Sequence, residues 1–415
     1  MKMNHNLYKL SSTACLAVVA VMLAGCGGSR KNKDTRPETT KKETIQIDTA
    51  LKTRLARFAE TPRAKGQFAF YVFDLTADQP VHGVNENLSL PSASCLKLLS
   101  GVAGLHLLGS GYHYETSMHV RGTVADGTLH GDATFKGSLD PQLNPADLSR
   151  FARALQKRGI RKIDGRLIAD LVITEPVKSE AHWYPWDLSF SKYGLLYKGS
   201  PRVMRELKLA MRAQGIQVAD SQIVRGRLPR GSRLIYKYVR PISMITRRMW
   251  KNSSNTQATA MLYTIGHRVN RQGEPTACGV SYLRKFLRQN LGFMAKDLVI
   301  HDGCGLCTHN RLSPKVLTAV LRYGYHRKPI YRLLHDQLSL AGTDGTLARM
   351  MTHPATRGKI RAKTGTLSHP YGISSLAGYC EGSNGHLLAF AIMDSEMSVL
   401  DAHVYQRKLC EALVK

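Results

Sequence analysis

The sequence predicts an α/β (α+β) protein in which the two ends of the chain build one layered core around an inserted middle. Three observations carry that prediction. Helical periodicity followed by a strand opens the folded part, and a strand hairpin followed by helical periodicity closes it. The 415 residues are 43% hydrophobic and 21% charged, an ordinary globular balance. A chain of this length suggests about two or three domains and buries enough apolar surface to need no disulfide staples.

At the front, Ile47, Leu51, Leu55 and Phe58 recur at helical spacing until Pro62 and Gly66 break the pattern. Residues 67–75 (QFAFYVFDL) are rich in aromatic and β-branched side chains, as a strand requires. At the back, the apolar runs 373–380 and 386–393 flank Ser383-Asn384-Gly385. Asn-Gly is a strong hairpin signal, so these two strands are expected to pair antiparallel. From 398 to 413, Val399, His403, Leu409 and Leu413 suggest a closing amphipathic helix.

Charge sets the question of partners. With 59 Lys plus Arg against 30 Asp plus Glu, the formal net charge of +29 suits nucleic acid, a membrane surface or an anionic polymer. Lys2 and Lys9 precede an uncharged run over residues 10–25 that is too short for a membrane span, which needs about 20 apolar residues. A signal peptide over residues 1–25 fits. Its end, Leu23-Ala24-Gly25-Cys26, resembles the bacterial lipobox, which implies cleavage before Cys26 and a lipid anchor there. An ordinary signal peptide with Cys26 incidental, or an uncleaved anchor, are the alternatives. Each of the three exports the chain, which removes nucleic acid as a partner. Residues 26–44 then form a solvated tether, with no large apolar side chain between 27 and 43. Taking the two signal lysines and the tether's net +3 from +29 leaves +24, so the basicity belongs to the folded body.

The chemistry begins at Pro91-Ser92-Ala93-Ser94-Cys95-Leu96-Lys97. Leu98, Val102, Leu105 and Leu108 follow at spacings of three and four, which sets Ser94 at the start of a buried helix with Lys97 on the same face. Serine is a weak nucleophile at its own pKa, and a lysine kept neutral by desolvation can take its proton. The helix N-terminus adds a backbone N–H for an oxyanion. Cys95, one step along, points about 100° away from that face. Alone, S-x-x-K is weak. Two further motifs follow in order: Ser253-Ser254-Asn255, an S-x-N before an apolar helix with Ala258, Met261, Leu262 and Ile265, and Lys363-Thr364-Gly365 on an expected strand just before the hairpin. Together they form the set of penicillin-binding proteins and β-lactamases. Ser253 can relay a proton to a leaving group and Asn255 can orient a peptide amide. Lys363 and Thr364 can bind a terminal carboxylate. Gly365 lets the strand edge lie close to substrate, and the Thr366 N–H can complete an oxyanion hole.

On these residues the chain resembles the D-alanyl-D-alanine carboxypeptidase/endopeptidase family, the low-molecular-mass class C penicillin-binding proteins. The similarity extends over most of residues 45–415. It includes LPSASCLKLLSGVAGLHLLG around Ser94, GTVADGTLHGDATFKGSLDPQL from Gly122, HDGCGLCTHNRLSP from His301, AGTDGTLARMM from Ala341 and IRAKTGTL from Ile360. The resemblance implies a penicillin-binding-protein/β-lactamase-like transpeptidase fold, with an antiparallel sheet flanked by helices. It implies one inserted β-rich domain over 112–240, splitting a catalytic domain of 45–111 and 241–415. It also implies a serine acyl-enzyme mechanism on peptidoglycan stem peptides, with β-lactams as covalent inhibitors. The implied site is catalytic Ser94, Lys97, Ser253, Asn255 and Lys363 with substrate-binding Thr364, Gly365 and Thr366. Asp187, in Trp186-Asp187-Leu188, resembles a family aspartate that binds the substrate's distal amino group; an exposed loop aspartate is the ordinary reading. In the family's D-G-S-G-L-S-R segment this chain has Thr308 where an arginine is thought to contact the substrate's side-chain carboxylate. A β-lactamase and a non-catalytic basic module binding anionic wall polymer are the rival functions.

After Cys15 leaves with the signal and Cys26 takes lipid, six cysteines remain: Cys95, Cys278, Cys304, Cys307, Cys380 and Cys410. Export permits 15 pairings among them. Cys304-x-x-Cys307 reads as a redox pair, half a zinc site or two small buried residues standing where relatives have serine. No second C-x-x-C accompanies it, and the 16 histidines include no H-E-x-x-H, so neither metal nor cofactor is expected.

Overall fold

The structure, a computed structural model, describes residues 45–415 apart from 64, 185, 188–192 and 369–371. The expected signal peptide, tether and Cys26 lie outside the described residues. The chain opens with α1 (Thr49–Ala59), β1 (Gln67–Asp74), β2 (Gln79–Val84), β3 (Leu90–Pro91) and α2 (Leu96–Leu108). Next come β4 (His113–Ala125), β5 (Thr128–Lys136), α3 (Leu148–Gln156), β6 (Lys162–Ile163), β7 (Leu167–Asp170), α4 (Ser200–Ala213), β8 (Ile223–Arg225) and β9 (Arg233–Pro241). Helices α5 (Ile242–Lys251), α6 (Asn255–Val269) and α7 (Pro275–Leu291) lead to β10 (Arg311–Leu312), α8 (Pro314–Tyr325) and α9 (Lys328–Gln337). The chain closes with β11 (Ser339–Leu340), β12 (Ile360–Leu367), β13 (Ile373–Glu381), β14 (Leu387–Ser395) and α10 (Val399–Val414).

The two ends do build one layer. The first sheet runs β11-β12-β13-β14-β1-β2, antiparallel throughout, with Phe70 opposite Ile392 across β1 and β14. Alternation along the strands feeds two cores. Phe70, Val72, Phe390 and Ile392 pack with Leu51 and Leu55 of α1 and Leu409 and Leu413 of α10. Ala69, Phe73, Ala389 and Ala391 face the opposite way, toward α2, α6 and α8. The Asn-Gly hairpin forms as expected: Gly385 takes φ +79°, and the Gly382 N–H donates to the His386 carbonyl at 2.9 Å. Asp48 caps α1, accepting from the Ala50 N–H at 2.8 Å, and the Ser398 hydroxyl caps α10.

Helix α2 (LKLLSGVAGLHLL) is apolar on every side because it is enclosed on every side, buried from Leu96 to Leu105. Its start differs from expectation. Ser94 lies in a tight 3-10 turn, Ala93–Cys95, and the α-helix begins at Leu96. Ala93 holds a left-handed φ of 42°, a conformation an α-helix does not admit, so the regular turns cannot extend back through it.

The middle segment builds a second sheet, in order β8-β7-β5-β4-β9 with β6 beside β5. It is mixed: β4 lies antiparallel to β5 and β9, whereas β6 and β7 run parallel to β5. Helices α3 and α4 pack on it, so this strand-rich segment also carries a helical layer. Arg240 at the end of β9 holds Asp140 at 2.8 Å, both buried. The segment's apolar residues, Phe135, Phe151 and Leu167 among them, belong to the same continuous core as Leu98 and Met261.

Candidate active site

Ser94 and Lys97 meet as the S-x-x-K spacing requires. The Lys97 side chain is fully buried, and its Nζ lies 2.7 Å from Ser94 Oγ, 2.8 Å from Asn255 Oδ1 and 2.6 Å from the Cys304 carbonyl. Burial drives its pKa down, partly opposed by the neighbouring Asp302. A neutral amine has two N–H donors and one lone pair. Asn255 Oδ1 and the Cys304 carbonyl can only accept, so they take the two donors, and the lone pair is left to accept from the Ser94 hydroxyl. Cys95 is directed elsewhere: its Sγ donates to the Lys363 carbonyl at 3.2 Å, and burial holds that thiol protonated.

The other two motifs converge on the same place. Ser254 caps α6 through the Gln257 N–H at 3.4 Å, which makes Asn255 the first helical residue and leaves Ser253 in the turn after α5. Ser253 takes a left-handed φ of 56°. Such strain in a non-glycine residue costs on the order of 1–3 kcal/mol and collects at functional sites. On β12, odd-numbered residues face the α2 layer, and Lys363 Nζ reaches Ser253 Oγ at 2.8 Å and the Thr364 carbonyl at 2.5 Å. Burial lowers the Lys363 pKa to about 7, with the Lys97 charge adding to the effect. Gly365 is required by space: a Cβ there would lie 2.2 Å from Ser375 Oγ and 2.7 Å from the Ser92 carbonyl. Thr366 is exposed on the same strand. The short β11 pairs only with Arg361 and Ala362, so among the described residues β12 has no sheet partner on that side from Lys363 onward.

Three site features escape sequence reasoning. Asp302 is buried and accepts the N–H groups of Cys304 at 2.9 Å, Gly305 at 2.6 Å and Cys307 at 2.8 Å, the Asn310 amide at 3.2 Å and the Trp183 indole N–H at 2.8 Å. This single carboxylate folds the loop that presents the Cys304 carbonyl to Lys97. Gly305 presses that loop onto the nucleophile turn: it has φ +82°, and a Cβ would sit 1.8 Å from the Ala93 carbonyl. Thr346 accepts from the Thr364 hydroxyl at 2.8 Å, within a loop that Asp344 ties to Lys251 at 2.6 Å. Both loops carry segments similar to the family, yet nothing in their spacing says which atoms they contact.

Asp187 is not an exposed loop aspartate. It is buried, caps its own turn at the Tyr184 N–H at 2.9 Å, and has a pKa raised by burial, with a smaller contribution from nearby Asp302. The six cysteines all carry free thiols, and Cys304 and Cys307 are both buried.

The model of the D-Ala-D-Ala carboxypeptidase 3 (S13) family matches residues 51–193 and 198–413. The chain belongs to that family. As an S13 peptidase it is a hydrolase of the serine D-Ala-D-Ala carboxypeptidase class, in agreement with the resemblance seen in its motifs. The D-alanyl-D-alanine carboxypeptidase DacB of Haemophilus influenzae is 21% identical over 406 residues, spanning 77% of this chain and 84% of the relative. The crystal structure of penicillin binding protein 4 (dacB) from the same organism superposes with TM-score 0.71 at 18% identity, covering 88% of this chain and 98% of that one. A predatory peptidoglycan endopeptidase of Bdellovibrio bacteriovorus superposes with TM-score 0.57 at 17% identity, covering 83% of this S13 chain and 92% of its own. These likenesses confirm the penicillin-binding-protein fold expected from the sequence.

Proposed function

We propose that this S13 peptidase is a serine D-alanyl-D-alanine carboxypeptidase, also cleaving crosslinked stems as an endopeptidase. It acts on peptidoglycan stem peptides in the cell envelope, facing the periplasm and anchored through lipid at Cys26. The observation that carries the reading is Lys97, a fully buried amine whose partners leave its lone pair to Ser94. Ser94 Oγ attacks the carbonyl between the two D-alanines as its proton passes to Lys97 Nζ. The backbone N–H groups of Ser94 and Thr366 hold the oxyanion. Asn255, its Oδ1 fixed by Lys97, offers its NH₂ group to the peptide carbonyl. Ser253 passes its hydroxyl proton to the departing amine and regains one from the Lys97 ammonium, so the C–N bond breaks to leave an ester on Ser94 and a neutral Lys97. Lys363 and Thr364 hold the leaving D-alanine's carboxylate. Water, activated by Lys97, then cleaves the ester and restores Ser94 with its proton.

The same proposal takes residues 45–111 and 241–415 as the split catalytic domain and 112–240 as the inserted accessory domain. Asp187, from that insert, receives the stem's distal amino group. The DacB and endopeptidase relatives support peptidoglycan as substrate, and the Haemophilus protein also crystallises with a β-lactam, which supports β-lactams as acylating inhibitors here. The surplus of basic residues suits an envelope whose wall carboxylates and lipid head groups are anionic.

A labelled penicillin is expected to attach covalently to the wild type and not to Ser94→Ala; equal labelling of both sinks the assignment. Persistence of the adduct separates a carboxypeptidase from a β-lactamase, which would clear it quickly. Mass spectrometry after incubation with a pentapeptide stem and a crosslinked dimer reports both cleavages, and release of neither leaves only a wall-binding module.

A further inference from the structure

Away from the serine, a second cluster of chemistry-bearing side chains forms where the middle segment meets the loop after Ile300. Residues far apart in sequence come together there. One ligand atom from each of His182, Cys307 and His309 lies within 4.8 Å of the other two. Cys307 is buried, and both imidazoles are exposed. The Cys307 Sγ stands 3.7 Å from His309 Nδ1, and the His182 ring centroid is 5.8 Å from that of His309. A third imidazole, His301, packs on His182 with centroids 4.1 Å apart.

We infer that His182, Cys307 and His309 form a binding site for a borderline-soft divalent ion, with zinc the best match. One thiolate and two imidazoles are a characteristic zinc donor set, with bonds of about 2.3 Å to sulfur and about 2.0–2.1 Å to nitrogen. Tetrahedral ligands at those lengths stand roughly 3.5 Å apart. Small rotations of the two exposed rings close the difference, while the buried sulfur stays fixed. The fourth position falls to water.

The backbone around the donors is already organised. Asp302 accepts from the Cys307 N–H and from the indole of Trp183, so one buried carboxylate anchors the chain at Cys307 and next to His182. Asn310 accepts from the His301 N–H at 2.8 Å and donates to the Cys307 carbonyl at 2.9 Å, which braces the loop carrying Cys307 and His309. These contacts fix the backbone that carries the ligands, so little ordering is left for the metal to impose. On loading, the Cys307 proton leaves to solvent and the thiolate binds the ion. The bound metal would pin the middle segment to the same loop that brings the Cys304 carbonyl to Lys97, so the site reads as a clamp on that loop.

The test uses the full folded chain, stripped with a chelator and dialysed against zinc chloride, with magnesium as the hard-ion control. One zinc per chain is expected, with no magnesium uptake. Affinity should fall by at least about tenfold in His182→Ala and in His309→Ala, and further in Cys307→Ser. Cobalt(II) in the wild type should show a thiolate-to-metal charge-transfer band that Cys307→Ser abolishes. Since His182 is exposed, its variant keeps the test decisive if Cys307→Ser folds poorly. Less than one zinc at saturation, or equal affinity in the wild type and the two histidine variants, overturns the proposal.

Discussion

Lys97 and Lys363 are both fully buried, and each must hold a different protonation state for the proposed chemistry. Burial lowers both pKa values, and the Lys97 charge contributes to placing Lys363 at about 7. The Lys97 lone pair serves Ser94, so Lys97 takes the neutral form; its charge is then gone from beside Lys363, which keeps the proton. That division predicts the pH profile of kcat/KM, which reports the free enzyme. Activity should rise with pH as Lys97 loses its proton and fall again at higher pH as Lys363 loses the charge that attracts the substrate carboxylate. In Lys363→Arg the guanidinium keeps its proton, so the alkaline fall should move well upward while the acid side stays. A variant whose alkaline side stays where the wild type has it would detach Lys363 from carboxylate binding. Removing the base itself, in Lys97→Ala, should slow acylation on the order of 10²- to 10⁴-fold.

At the scale of elements, the site is three pieces of regular structure joined by two loops: α2, the start of α6 and the edge of β12. The regular pieces are legible in sequence, because an apolar repeat of three and four, a capping serine and a β-branched strand are local signals. Ser94, Lys97, Ser253, Asn255 and Lys363 are candidates because the ordered S-x-x-K, S-x-N and K-T-G motifs name them, and the fold brings their side chains together. The start of α2 is not legible in this way, since the left-handed Ala93 is set by contact with Gly305, far along the chain. Asp302 was invisible for the same reason: its five donors come from one loop and from Trp183, and only the folded chain brings them to one carboxylate. As a positioning residue it has a distinct signature. Asp302→Ala should destabilise the protein, at about 1–3 kcal/mol for each buried donor left unsatisfied. It should also lower the Lys97 pKa further, since the Asp302 charge favours the ammonium. The acid side of penicillin acylation should then shift to lower pH. A purely structural role would reduce the amount of active protein and leave that profile in place.

For the whole molecule, the sheet shared by the two chain ends carries a group that couples stability to pH. Asp394, on β14 opposite Ser374 of β13, is buried to 1% exposure, and burial raises its pKa to about 7 despite a weak contact from Gln406 and the charge of Arg63. Among the described residues its Oδ1 has no hydrogen-bond partner, and Gln406 Nε2 reaches Oδ2 only at 3.4 Å, an environment suited to the neutral acid. An unfolded aspartate titrates near 3.9. Below about pH 4 both states hold the proton and the group has no pH-dependent effect. Between about 4 and 7 the folded chain keeps a proton that the unfolded chain releases, so stability falls as pH rises. Above 7 the loss is complete, at most about 4 kcal/mol, because each tenfold difference in proton affinity between the two states is worth about 1.4 kcal/mol. Glu180, half-buried and also raised to about 7 by burial, pushes the same way. Asp394→Asn cannot ionise, so denaturant unfolding at pH 8 should find it more stable than the wild type, with the gap closing toward pH 4. Parallel stability curves for the two proteins across that range would show that Asp394 is ionised in the folded core and that Arg63 and Gln406 hold its charge.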